Sequence, residues 1–224
     1  MLVHPKSQLI REPRLLVPKM QPLGLVKIDR QSPYANNLAF CVDGRNNVEL
    51  VTNTKGTITA RTSLYGFSCT SGSIAAPAFE KLPATTNFTV LFVGPCKYEV
   101  QSAMWRKTGE DIYAPSINWS GYSFDVVYSG SAYTNRKMTI SGFTTNRAHV
   151  ICMSIDVAGD TAIAYVDGVS YTVSKSVTAQ ATMAKITAAS SSVSLAFAAV
   201  WSKQLSPDKT LALTLDPYQF LIPA

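Results

Sequence analysis

HVICMSIDVAGDTAIAYVDGVSYTV, residues 149–173, decides the fold. His149 to Val157 is a run with β-branched residues spaced through it, Ala158-Gly159-Asp160 makes a turn, and Thr161 to Val166 begins a second run of the same kind. Asp167-Gly168 supplies a further reversal, because glycine takes positive φ without a Cβ clash, and Val169 to Val173 is again strand-like. The spacing predicts a meander of three antiparallel strands. Ile151, Met153 and Ile155 fall on one face, with Val150, Cys152, Ser154 and Asp156 on the other. A sheet with one apolar face needs a second layer to cover it.

The rest of the chain supplies strands for that layer. Its 224 residues are 46% hydrophobic and only 15% charged, enough to bury a sizeable core and too sparse in charge for surface helices laced with ion pairs. Short apolar runs recur at Leu38–Val42, Val48–Thr52, Gly56–Ala60, Tyr65–Cys69 and Gly72–Ala76. Phe88–Val93 (FTVLFV), bounded by Asn87 and Gly94-Pro95, is the most apolar and is expected at the centre of a sheet. Val100–Lys107, Ser116–Trp119, Tyr122–Tyr128 and Lys137–Ile140 follow, then Met183–Thr187 and Val193–Trp201. Many short strands at this spacing predict an all-β sandwich or barrel. Ser206-Pro207-Asp208 starts a helix, with Ser206 as the expected cap, Pro207 at the first helical position and Asp208 at the positive end of the dipole; Asp216-Pro217 stops it.

Residues 1–32 stand apart. Pro5, Pro13, Pro18 and Pro22 break any helix, leaving an extended arm with apolar clusters between the prolines. Lys6, Arg11, Arg14, Lys19, Lys27 and Arg30 face only Glu12 and Asp29, so four of the six net positive charges lie in this segment. The arm is expected to bind a partner through these charges and through Leu15 and Leu16; packing back on its own domain as an edge strand is the alternative. No zinc-finger, helix-turn-helix or RNP-like pattern accompanies the charge, so sequence-specific nucleic-acid binding is not expected.

Cys41, Cys69, Cys96 and Cys152 have no metal-binding spacing and sit in apolar settings, which predicts buried thiols, no zinc and a reducing compartment, with the sequons at Asn87 and Asn118 as chance matches. The longest apolar run, Leu195–Trp201, falls far short of a membrane span. His149 has no evident acid partner, Asp167 reads as a turn former, and Glu110-Asp111 are adjacent and solvated. No nucleophile elbow or phosphate-cradling loop occurs, so a non-enzymatic protein is expected. Trp105, Tyr113, Trp119, Tyr122, Tyr128 and Tyr133 crowd together with Asn118, Asn135 and Arg136. That mixture of flat apolar faces and polar groups suits saccharides, with Trp105, Trp119, Tyr122 and Tyr133 as candidate contacts; core or inter-subunit packing is the competing explanation.

The His-led strand with its YVDG turn, followed by AKITA, VSLAFAAVWSKQLSPDKTLAL and the ending LDPYQFLIP, resembles the laminin G-like/concanavalin A-like domains found in bacteriophage structural proteins. The opening SPYANNLAFCVDGRNN is similar to theirs, and the resemblance spans about residues 32–222. It implies an antiparallel two-sheet jelly-roll sandwich over residues 33–224, with an extended N-terminal arm and a short C-terminal helix. It also implies a virion structural protein, made in the host cytoplasm and assembled through the arm onto neighbouring virion proteins or its own copies. A carbohydrate-binding module is the alternative function. Calcium binding is common in the resembled family, but Ala198-Ala199 stand where its closing strand often has an acidic pair, so no cofactor or metal is expected, with calcium as the unsupported alternative. Glycosidases of this fold alternate carboxylates along one strand, and no such run exists here.

Overall fold

The computed structural model describes residues 22, 24–43, 48–55, 59–62, 68–71, 87–95, 102–103, 116–120, 123–131, 134–142, 148–178 and 196–224. The three-strand meander expected over residues 149–173 is present as β12 (Ala148–Asp156), β13 (Thr161–Val166) and β14 (Val169–Tyr171). Asp167 and Gly168 have φ of 51° and 87°, the pair of positive values that a type I′ hairpin turn requires.

These strands form one end of an eight-stranded antiparallel sheet. It continues through β7 (Phe88–Pro95), β16 (Phe197–Trp201), β2 (Leu38–Asp43), β3 (Val48–Glu49) and β4 (Thr54–Lys55), in the order β14-β13-β12-β7-β16-β2-β3-β4. FTVLFV thus lies at the interior of the sheet, as its apolar run predicts. A five-stranded antiparallel sheet is built from β8 (Ser102–Ala103), β9 (Ser116–Ser120), β10 (Ser123–Ser131), β11 (Thr134–Ser141) and β15 (Ser174–Thr178), in the order β15-β11-β10-β9-β8. β5 (Thr59–Thr62) and β6 (Ser68–Ser71) pair separately.

The two large sheets pack face to face. Phe40, Phe88, Val90, Phe92, Ile151, Met153, Ile155 and Val200 of the larger sheet meet Phe124, Val126, Met138 and Ile140 of the smaller in one buried cluster. Phe92 and Phe124 bridge the layers with ring centroids 6.0 Å apart. The architecture is therefore the two-sheet antiparallel sandwich implied by the sequence resemblance, with one described helix near the C-terminus. Residues 169–178 run from the edge of one sheet to the edge of the other, closing one side of the sandwich. Across that side Asp160 accepts Lys175 Nζ at 3.3 Å and faces Arg136 at 3.8 Å.

The expected polar face of β12 is corrected by the structure. Val150 and Cys152 are as buried as Ile151 and Met153, because a third layer covers the far side of the eight-stranded sheet. That layer is the C-terminal tail, α1 (Pro207–Leu215) and β17 (Leu221–Pro223), with Leu205, Leu213, Tyr218, Phe220 and Leu221 packed over Leu91, Cys152 and Trp201. Ser154, the polar residue on this face, joins Thr89 in a hydroxyl pair 2.9 Å apart that accepts the Leu205 N–H, while the Ser154 hydroxyl donates to the Leu205 carbonyl. Trp201 Nε1 donates to the Tyr34 carbonyl at 2.6 Å, which satisfies the one polar atom of a fully buried side chain.

The helix starts where the sequence predicts, with Pro207 at its first position and Asp208 in its first turn. Ser206 is a correction. Its side chain makes no capping bond; its carbonyl instead accepts from both the N–H and the hydroxyl of Thr210. β1 (Val26–Ile28) pairs antiparallel with β17, and Val26 and Ile28 are buried in the cluster under α1. Residues 24–32, within the segment set apart as an arm, are thereby placed against the body, the edge-strand alternative named above; residues 1–21 lie outside the described residues.

Cys152, Leu91, Ala199 and Cys41 occupy one row across β12, β7, β16 and β2. Three interstrand spacings, about 14 Å, separate the two thiols, far beyond the reach of a disulfide. Burial raises both thiols well above the ordinary cysteine range, so they stand as inert packing groups, as their apolar settings suggest.

Candidate functional site: the outward face of the five-stranded sheet

Alternation along β10 and β11 fixes which side chains leave the core. Phe124 and Val126 point inward, so Asp125 between them points outward; Met138 and Ile140 do the same for Lys137 and Thr139. Asp125 and Thr139 are direct cross-strand partners, and Lys137 lies two residues along from Thr139 on the same face. The result is a fixed polar cluster. Lys137 Nζ stands 2.7 Å from Asp125 Oδ2, and the Thr139 hydroxyl donates to Asp125 Oδ1 at 2.7 Å.

Asp125 is only 5% exposed although it faces away from the inter-sheet core, so its carboxylate lies sunk below the surface of the outward face. The neighbouring positions in register are Asn118 on β9, opposite Asp125, and Ser174 and Ser176 on β15, opposite Thr139 and Lys137. The face is thus polar around a carboxylate, an ammonium and a hydroxyl held on strands. Held this way, the three groups keep their geometry before any ligand arrives, which lowers the ordering cost of binding.

A second buried polar group contradicts the sequence expectation for His149. Its side chain is buried at the start of β12, and Nδ1 lies 2.7 Å from Asp167 Oδ2. A carboxylate accepts only, so the proton of this bond sits on Nδ1. Asp167 Oδ1 also accepts the Val150 N–H at 2.9 Å, and the Asp167 N–H donates to the Val150 carbonyl. Asp167 is a turn former, as expected, and also the acid partner that His149 was expected to lack. The pair locks the hairpin end to the neighbouring strand and is assigned a structural role. Glu49, another buried carboxylate, accepts the N–H groups of Cys41, Val51 and Thr52 and the Thr52 hydroxyl, and so fastens the β3–β4 turn.

The remaining candidates are placed as follows. Lys6, Arg11, Arg14, Leu15, Leu16 and Lys19 lie outside the described residues, whereas Lys27 is exposed on β1 and Arg30 is exposed in the turn after it. Trp105, Tyr122 and Tyr133 also lie outside them. Trp119 and Asn118 are described by backbone position alone, in β9, where they pair with Phe124 and Asp125. Among the described residues no group of three or more His, Cys, Asp or Glu side chains is arranged to hold a metal ion. Lys137 and Thr139 were not singled out by sequence; the signal was their position two residues apart on one alternating strand, flanking inward Met138.

No protein-family model and no curated protein matches the chain. Solved structures do match. The binding domain of botulinum neurotoxin DC in complex with rat synaptotagmin II aligns with a TM-score of 0.53 at 10% identity, covering 82% of this chain and 52% of that one. A botulinum neurotoxin type C structure, described with cell entry dependent upon interaction with two ganglioside molecules, aligns with the same TM-score, identity and coverage. The carbohydrate-binding module CBM40 of the Ruminococcus gnavus IT-sialidase, bound to α2,3 sialyllactose, aligns with a TM-score of 0.46 at 13% identity over 71% of this chain and 92% of that one. The chain spans about half the length of the toxin domains it matches, and at these identities the likeness is one of fold.

Proposed function

We propose that this chain is a non-catalytic carbohydrate-binding domain that attaches to a glycan-bearing receptor or surface. The observation that carries the reading is the outward face of the five-stranded sheet, where donors and acceptors are fixed on strands with Asp125 sunk beneath them. Saccharide hydroxyls each donate and accept, and such a prearranged polar surface on a rigid scaffold suits them. The shared sandwich adds support, because it also occurs in toxin binding domains described with ganglioside and protein receptors.

This is the second of the two functions read from the sequence. The first, arm-mediated assembly into a virion, finds no support in these structures. Screening the full chain on an array of glycans tests the proposal, together with a variant carrying Trp105→Ala, Tyr122→Ala and Tyr133→Ala. Binding to a defined glycan class is the expected result, and loss of binding in the triple variant would bring those aromatic residues into the site. A folded chain that binds nothing on the array overturns the proposal.

A further inference from the structure

We draw no further inference here: the strongest candidate, the apolar surface patch that exposed Leu215 at the end of α1 forms over Gly168 beside exposed Val169 of β14, is an unpartnered face, and nothing in the structure shows what covers it.

Discussion

Replacing Asp167 tests whether one carboxylate holds the hairpin end to its neighbouring strand. Its oxygens accept from His149 and from the Val150 N–H, and the residue itself sits at φ 51°. Three substitutions separate these contributions. Asp167→Gly keeps the backbone freedom but strands the Val150 N–H and removes the acceptor at Nδ1 of the buried His149. A buried donor left without an acceptor costs about 1–3 kcal/mol, and the bond to a charged group has a similar magnitude. Because both losses stem from one carboxylate, about 2–4 kcal/mol is expected for the glycine variant. Asp167→Ala adds left-handed backbone strain of about 1–2 kcal/mol. Asp167→Asn retains an acceptor for Val150 and tolerates positive φ, so its cost should stay near 1 kcal/mol. Urea titrations followed by circular dichroism give the ranking directly, and at about 2–4 °C per kcal/mol for a domain of this size the melting temperatures should spread visibly. A glycine variant within about 0.5 kcal/mol of the parent, the range of an ordinary surface change, would refute the structural role assigned to the pair.

Three further outcomes follow from buried groups elsewhere. Asp216 closes α1, and burial raises its carboxyl above the usual range, with the Tyr218 N–H bond opposing the shift. A raised folded value favours the protonated form, so its contribution is fully present below the unfolded value of about 3.9 and lost as pH rises through the folded one. Asp216→Asn should therefore stabilise the protein at neutral pH, by about 0.3–1 kcal/mol from the helix dipole, with the gain fading in acid; melting curves across pH would show a constant difference if this is wrong. Cys41 and Cys152 should resist alkylation in native buffer and label only on unfolding, as read by mass spectrometry of their peptides; rapid native labelling of either would contradict their burial. Deleting residues 1–30 removes buried Val26 and Ile28 and uncovers the edge of β17, so a loss of about 3–6 kcal/mol is expected, and an unchanged melting temperature would show that β1 contributes nothing.

Much of the fold was legible because its signals are local. The two-residue Asp167-Gly168 turn, the apolar run Phe88–Val93 and Pro207 at the helix start each depend on only a few adjacent residues. What escaped depends on contacts distant in sequence. Leu25–Ile28 and the last residues of the chain carry no strand periodicity of useful length, yet Val26↔Pro223 and Ile28↔Leu221 pair them, because the tail must cross the eight-stranded sheet to cover Cys152 and Trp201. The same covering layer explains the misread face of β12. Its run Val150 to Ser154 is nearly continuous in apolar residues, the composition of a strand buried on both sides, and only a third layer makes sense of it.

The outward face of the five-stranded sheet shows where sequence can carry further than it was taken. Once the β10–β11 hairpin is paired about its turn, alternation alone sends Phe124 and Met138 inward and Asp125, Lys137 and Thr139 outward together. Likewise, pairing Ile151 with Val166 brings Asp167 alongside Val150 and within reach of His149, so the acid partner was implied by the register of the very hairpin that fixed the fold. In both cases the decisive quantity is register, because a slip of one residue turns Asp125 into the core and breaks the Asp167 bonds at once. Aromatic content pointed to Trp119, which the backbone register of β9 pairs with Phe124, while its neighbour Asn118 pairs with Asp125. The outward chemistry of this sheet therefore lies with the polar residues between the large apolar ones, since the inward positions of β10 and β11 are already committed to packing.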